Sequence, residues 1–533
     1  MELPIGMSGF SSIRSMNLIY VDKTDLIYTM LEESSRIFFA RPRRFGKSLL
    51  VSTLEELFSG HAEHFKNLKI EKLWTDTEKY RVVHIDFSFI MLESTTEAMQ
   101  TYFDEMLMMD FAKAGFTYNK DDFISPLGQL SSWLGKQDGD IVLLVDEYDS
   151  PLTENLENEE LFSYAKRLLS EFFAVVKFRD NAFRLVFVTG IAKFGRDLTS
   201  MNQLVDISMK SRYGTLLGFT EDELEQYFGW FLDRSAQARH ESVQELLYDM
   251  REMYGGWCFD DEAKARVYAP WSVLNFLSDN LEYMKPYWFL SAGSTSAVRS
   301  MMRAGLFARP EQMQREYSAW LAPLEGHPFS EKIGAIPLMF QTGYLSIKAA
   351  DPCGAAASAK LGYPNKDVAE PMEQLRIEEL TGSDTLAFLD RHSFFSALGE
   401  QKAGGVLEGL NSFFAAIVYE PCPIPDERTC IGLLYSLFAA LGCTVLEGQS
   451  CSRESSALEV LTDAPHRQKA VHWVFELKHS KDGRDADALL QEAVQQLQTT
   501  EYCLPHCTCP VVKTALVFDG KKRQIVRWEQ VQA

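Results

Sequence analysis

Residues 41 to 48 read Arg41-Pro42-Arg43-Arg44-Phe45-Gly46-Lys47-Ser48. The last three match the end of the phosphate-binding pattern G-x-x-x-x-G-K-[ST]. In that pattern the glycine lets the backbone approach a phosphate closely. The Lys47 ammonium reaches the β- and γ-phosphates, and the Ser48 hydroxyl ligates Mg²⁺. The first glycine of the pattern is missing, because Arg41 stands there. A bare Gly-Lys-Ser is common by chance, and a solvated basic turn is the competing reading. Two observations weigh against that turn. The loop packs Arg41, Arg43, Arg44 and Lys47 into seven residues of an acidic chain. In addition, the apolar run Ile141 to Val145 leads straight into Asp146-Glu147. There Asp146 would hold Mg²⁺ through water, and Glu147 would orient or deprotonate an attacking water. Arg43, Arg44, Phe45, Gly46, Lys47, Ser48 and Asp146 therefore form a candidate ATP-Mg²⁺ site. Thr189, at a strand tip, is placed to sense a γ-phosphate. Arg196 or Arg212 could supply a charge-stabilising finger, and Arg212 is preferred.

A loop of this kind needs a strand before it and a helix after it. RIFFA, at 36 to 40, supplies the strand. Beyond the loop, Leu49, Leu50, Leu54 and Leu57 recur at helical spacing. Three more short, mainly apolar runs follow, at 82 to 87, 141 to 145 and 185 to 188. Such runs suit strands buried on both faces of a parallel sheet. Ser94 to Glu97 reads as a capping box opening a helix through Met109. Strands alternating with helices imply a doubly wound α/β layer over residues 1–219. Thr220 to Glu223 is a second capping box. It opens a mainly helical middle, or lid, over 220–350, closed by a short strand at 341 to 348. Residues 351–419 read as a linker and a helical connector, and 420–533 as a compact α/β domain. Two to four domains suit 533 residues.

The formal net charge is -22, which repels polyanions at long range without excluding a local basic site. No apolar run approaches the ~20 residues that span a bilayer. The N-terminus lacks the pattern of a secretory signal, so no membrane partner and a cytoplasmic location are expected. Nine cysteines do not make a disulfide framework. Cys503, Cys507 and Cys509, with His506 among them, could suit a metal. Reduced thiols near a strand edge are preferred, since structural zinc usually takes two well-separated ligand pairs.

Near the C-terminus, 457 to 462 and 471 to 477 read as two strands of a hairpin. Side chains alternate along a strand, so Glu476 and Lys478 share a face, and Glu459 can lie on that face across the hairpin. Two carboxylates holding Mg²⁺ beside a lysine would make a metal-dependent phosphodiesterase site. An exposed salt-bridged pair is the plainer alternative.

Taken together, the sequence resembles the bacterial AAA-ATPase-like domain proteins that carry a C-terminal PD-(D/E)XK-type nuclease domain. The matching stretches are LPIGMSGF at 3 to 10, YVDKT at 20 to 24, RPRRFGKSLL at 41 to 50 and VDEYDSPL at 145 to 152. They continue with TGIAKFG at 189 to 195, GFTEDEL at 218 to 224, YAPWSVLNFL at 268 to 277 and TGYLSI at 342 to 347. The resemblance implies that Lys47, Ser48 and Asp146 bind ATP-Mg²⁺ and that Glu147 and Thr189 belong to the same site. It implies a small restriction-endonuclease-like domain at the C-terminus, acting on DNA or RNA. Glu459 and Glu476 would be its metal ligands and Lys478 its catalytic lysine. Gln496 lies where the family often has a glutamine, and Glu427 matches a recurrent acid. The first strand departs from the family, which has a Gly-Arg pair and then an aspartate. Here the stretch is Ser455-Ser456-Ala457-Leu458-Glu459. Modules of this class often complete their sites between subunits, which leaves a homo-oligomer open as a partner. Two readings compete. One is an ATPase whose nucleotide state controls a nuclease. The other is a nucleotide-dependent switch or scaffold whose degenerate nuclease fold only binds.

Overall fold

The computed structural model describes residues 2–88, 95–156, 158–194, 202–279, 283–291, 317–326, 334–352, 357–382, 388–418, 424–447, 457–463, 470–500 and 509–531. Two compact units divide the chain. The first joins Met1–Ala292 to Glu316–Asn365, and the second is centred on Lys366–Ala533.

The first unit is built on a five-stranded sheet of β1 (Arg36–Ala40), β2 (Arg81–Asp86), β3 (Ile141–Asp146), β4 (Phe183–Gly190) and β5 (Val205–Asp206), in the order β2-β3-β4-β1-β5. Every pairing in it is parallel. All six residues of β3 are buried, as expected for a strand covered on both faces. On one face Phe39, Leu144 and Phe187 pack against Leu50, Val51, Leu54 and Phe58 of the Lys47–Phe58 helix. On the other, Phe87 packs against Phe103 and Phe172 of the Thr96–Ala112 and Glu159–Phe178 helices. The doubly wound layer is therefore present. Ser94 lies outside the described residues. The cap of the Thr96–Ala112 helix is Thr95, whose side chain accepts from the Ala98 amide. Thr220 and Glu223 form the second capping box as expected.

The four segments anticipated from the sequence are grouped differently. The helices Glu221–Ala238, Val243–Tyr254 and Pro270–Ser278 share one core with Ile19 of the N-terminal segment. They belong to the first unit. So does an antiparallel sheet of β6 (Tyr317–Trp320), β7 (Ser346–Asp351) and β8 (Ser358–Gly362), in the order β6-β8-β7. The supposed linker at 351 onward is thus partly a strand pair. Its Ala- and Gly-rich composition hid the pairing, because only Ile347, Ala359 and Leu361 give it buried apolar side chains. The strand expected at 341 to 348 begins later. Ala335–Thr342 is a helix, ended by Gly343 in the left-handed conformation (φ 94°).

The second unit has five strands: β9 (Thr444–Glu447), β10 (Ala457–Leu461), β11 (His472–Ser480), β12 (Val511–Asp519) and β13 (Gln524–Val531), in the order β13-β12-β11-β10-β9. Only β11 and β12 run parallel. Leu458, Trp473, Phe475 and Leu477 pack with Leu434 and Phe438 of the Glu427–Ala440 helix. On the opposite face Ala457, Val474 and Ala515 meet Ala493, Val494 and Leu497 of the Ala486–Thr499 helix. The helical connector expected before this domain, Arg391–Gly399 and Ala403–Ala416, contributes Phe394, Leu398, Leu410 and Phe414 to the same core. Among the described residues, no helix is long and apolar enough to cross a membrane.

Candidate functional sites

The loop after β1 turns through two left-handed residues, Arg44 (φ 68°) and Gly46 (φ 98°). Gly46 is the N-cap of the Lys47–Phe58 helix and offers no side chain to its amides, and the first turn holds no acid. The helix thus presents free N–H groups and the positive end of its dipole, the setting that favours a phosphate. Lys47 is buried. Its Nζ lies 3.3 Å from the Pro42 carbonyl oxygen and 3.3 Å from Glu147 Oε1. Glu147 is held in the left-handed region (φ 48°), and its amide donates to Asp146 Oδ1 at 2.9 Å. The Ser48 hydroxyl lies near enough to Asp146 to favour its ionised form. Burial raises the Asp146 pKa, the Glu147 charge raises it further, and Lys47 and Ser48 oppose both effects. Oxygen donors with more carboxylate than cation are a set that a hard dication completes.

The missing first glycine has a structural counterpart. Arg41 is buried under the loop and donates to the carbonyl oxygens of Ala40 (2.9 Å), Ser208 (2.6 Å) and Tyr213 (3.1 Å). Its guanidinium lies 4.5 Å from the Phe39 ring and 4.7 Å from the Phe259 ring. Burial pulls its pKa down to about 9, which still leaves it charged at neutral pH. Phe45 is buried edge-on against Trp257 (5.0 Å) and Phe259 (5.2 Å). The Trp288 indole N–H donates to the Arg43 carbonyl at 3.0 Å. Arg44 lies over Trp271 at 4.4 Å, and Arg43 pairs with Glu154 at 2.5 Å. Packing from outside fixes the loop, so its conformation does not depend on a run of glycines.

Next to the loop lies a cavity of about 680 Å³, lined by Arg43 to Ser48, Asp86 and Glu147 at one end. Val21, Phe219, Trp271 and Leu274 give it apolar walls. Its size and mixed lining suit a small-molecule ligand. Asp146, Thr189 and Arg212 do not line it. The Thr189 hydroxyl instead donates to the Phe39 carbonyl at 2.6 Å, tying β4 to β1. Arg212 is exposed and pairs with Glu33, so the structure does not bring it into the site. Arg196 lies outside the described residues.

Sequence reasoning missed Asp149 and Tyr148. The Asp149 carboxylate accepts from the amides of Ile191 (3.1 Å) and Ala192 (2.7 Å). Tyr148 donates to the Ala192 carbonyl at 2.8 Å. Burial pushes the Asp149 pKa up to about 7, with the Glu147 charge adding to it. These two residues join the acidic end of β3 to the segment after β4. The only sequence signal was a second aspartate three positions after Asp146.

In the second unit, Glu476 and Lys478 do share a face of β11. Lys478 Nζ lies 3.8 Å from Glu476 Oε1, 3.8 Å from Glu427 Oε1 and 3.4 Å from Glu492 Oε1. Glu459 lies on that face too but does not meet them. The β10–β11 register sets Glu459 opposite Val474 and leaves Ala457 opposite Glu476. The Glu459 carboxylate meets His472 Nε2 at 2.9 Å instead, with both side chains buried. Gln496 has a buried Oε1 with no hydrogen-bond partner among the described residues. No three acidic or imidazole groups described in this unit bring their ligand atoms within 4.8 Å of one another. Ser455, Ser456, Cys503, His506 and Cys507 lie outside the described residues. Cys509 is disulfide-bonded and so is not a reduced thiol.

No solved structure matches the chain. A protein of Azotobacter chroococcum mcd 1, described as an uncharacterized protein in the vnfD 5' region, is 29% identical over 452 residues. That alignment covers 83% of this chain and 84% of the relative. Residues 4–199, which hold the loop, the acidic pair and strands β1 to β4, match the AAA-ATPase-like family model, described as a predicted AAA-ATPase.

Proposed function

We propose that the first unit binds and hydrolyses ATP, and that its nucleotide state is passed to the second unit. The observation that carries this reading is the uncapped start of the Lys47–Phe58 helix, with Lys47 and Ser48 beside Asp146-Glu147. Lys47 and the helix amides would hold the phosphates. Ser48 and Asp146 would hold Mg²⁺, whose charge offsets that of the phosphate oxygens. Lys47 is occupied by Glu147 at 3.3 Å. A phosphate that drew the ammonium away would release the Glu147 carboxylate to orient water and accept its proton. Adenine suits the apolar walls of the cavity. In the test, Lys47→Ala should lower ATP turnover by at least about 100-fold, the scale of losing one charge-stabilising donor. Wild-type turnover in that variant would disprove the assignment.

For the second unit we propose a nuclease-like fold that binds nucleic acid or another partner without cutting. The pairing of Glu459 with His472 supports this, since it takes one expected ligand away from Glu476. The convergence of Glu476, Lys478, Glu427 and Glu492 supports the alternative, a metal-dependent nuclease. Incubation with single- and double-stranded DNA or RNA, with Mg²⁺ or Mn²⁺, separates them. Cleavage that Lys478→Ala abolishes would establish the nuclease. Its absence, with and without ATP, would leave the binding module.

A further inference from the structure

Glu56, His61 and His64 stand apart from both sites. Among the described residues they are the one group of three His, Cys, Asp or Glu side chains whose ligand atoms all fall within 4.8 Å of one another. Both imidazoles turn Nδ1 toward the same carboxylate oxygen. His61 Nδ1 is 2.7 Å and His64 Nδ1 is 2.8 Å from Glu56 Oε2. A zinc ion bonded at about 2.0–2.2 Å holds its ligand atoms roughly 3.3 Å apart. Small side-chain rotations would therefore open room for an ion among the three.

The backbone already holds these residues in place. Gly60 takes a left-handed turn (φ 77°) directly after the Lys47–Phe58 helix. The His61 amide returns to the Glu56 carbonyl at 3.1 Å, and the His64 amide to the His61 carbonyl at 3.1 Å. Arg14 donates to the carbonyls of His64 and Lys66 at 2.8 Å each. Phe65 anchors the turn in a buried contact with Phe10, 4.8 Å between ring centroids. His61 remains half exposed, which leaves a side open for a water ligand. A second observation is electrostatic. The last turn of the Lys47–Phe58 helix contains no basic residue. That end carries a partial negative charge, which favours a cation nearby.

We propose that Glu56, His61 and His64 bind one transition-metal dication of the zinc type, with water as the fourth ligand. Two nitrogen donors and one oxygen donor fit such an ion and disfavour Mg²⁺, which prefers oxygen. Each ring would direct its Nδ1 lone pair at the ion and carry its proton on Nε2. The ion would fasten the C-terminal end of the helix whose other end forms the phosphate loop. This site is independent of the ATP reading, because it neither shares a residue with the cavity nor needs nucleotide.

The test uses the full chain stripped with chelator, with excess Mg²⁺ present so that oxygen-rich sites are filled. Calorimetric titration with Zn²⁺ should show one equivalent that raises the melting temperature. His61→Gln, at the most exposed ligand, and Glu56→Gln should each weaken that equivalent by more than about tenfold. Co²⁺ in place of Zn²⁺ should give visible ligand-field bands without a thiolate charge-transfer band. Unchanged affinity in both variants, no binding by the wild type, or a thiolate band would overturn the proposal. Circular dichroism of His61→Gln without metal keeps a folding defect distinct from lost binding.

Discussion

At the residue scale, Asp149 carries the strongest commitment. An unfolded aspartate titrates near pH ~3.9, whereas burial holds Asp149 up to about 7 in the native chain. Between those values the native state binds more protons than the unfolded state. Stability from this group is therefore complete below about pH 4 and is lost as the pH rises toward 7. Asp149→Asn keeps an acceptor for the Ile191 and Ala192 amides and removes the ionisation. Urea unfolding of the two proteins at a series of pH values should show a smaller fall for the variant over that window. Parallel curves would assign the proton elsewhere. Much of the proposed nucleotide site could be read from the sequence, because Gly46, Lys47, Ser48 and the Asp146-Glu147 pair are marked by type and spacing. Arg212 could not be placed, since one ion pair with Glu33 decides its position. Thr189 was found at the strand tip as expected, but its rotamer turns the hydroxyl to a backbone carbonyl.

At the scale of elements, the loop is held between its own helix and residues far along the chain. Gly343 has φ 94°, and a Cβ there would come within 2.8 Å of Pro42 and 2.9 Å of Trp288. Gly343→Ala should destabilise the first unit by about 1–3 kcal/mol and weaken ATP binding, because the clash pushes on the loop. Trp288→Phe removes the donor to the Arg43 carbonyl and should cost about 1–3 kcal/mol if that acceptor stays buried. Nucleotide titration beside thermal melting separates the two effects. Wild-type affinity in Gly343→Ala would show that the loop does not depend on this contact. The strands β1, β3 and β4 were legible because each centres on a short apolar run between turns, and β2 through its Val82-Val83 and Ile85. The β7–β8 pair was not, because few apolar residues mark its inner face. The register of β10 on β11 was beyond reach too, and a shift of two residues would set Glu459 opposite Glu476 in place of Val474.

At the scale of the whole molecule, every residue lining the cavity belongs to the first unit. A ligand bound only by the native form adds about 2.7 kcal/mol when present at 100 times its dissociation constant. Scanning calorimetry with Mg²⁺-ATP should raise the transition of the first unit accordingly, and Lys47→Ala should not respond. If nucleotide state reaches the second unit, its transition should also move, with a coupling of about 1–3 kcal/mol. A second transition that stays fixed would leave an ATPase without a switch.

The support given to the phosphate loop by Trp257, Trp288 and Gly343 also bears on synthesis. A ribosome completes the strands of the parallel sheet by Asp206, while Phe45 still lacks Trp257 and Phe259 to cover it. At roughly 5–20 residues per second, the stretch from the loop to Gly343 takes on the order of 15–60 s to emerge. During that interval a nascent chain carries the Gly-Lys-Ser signature without the packing that shapes it. The proposed nucleotide capture would thereby be deferred until most of the first unit has left the exit tunnel.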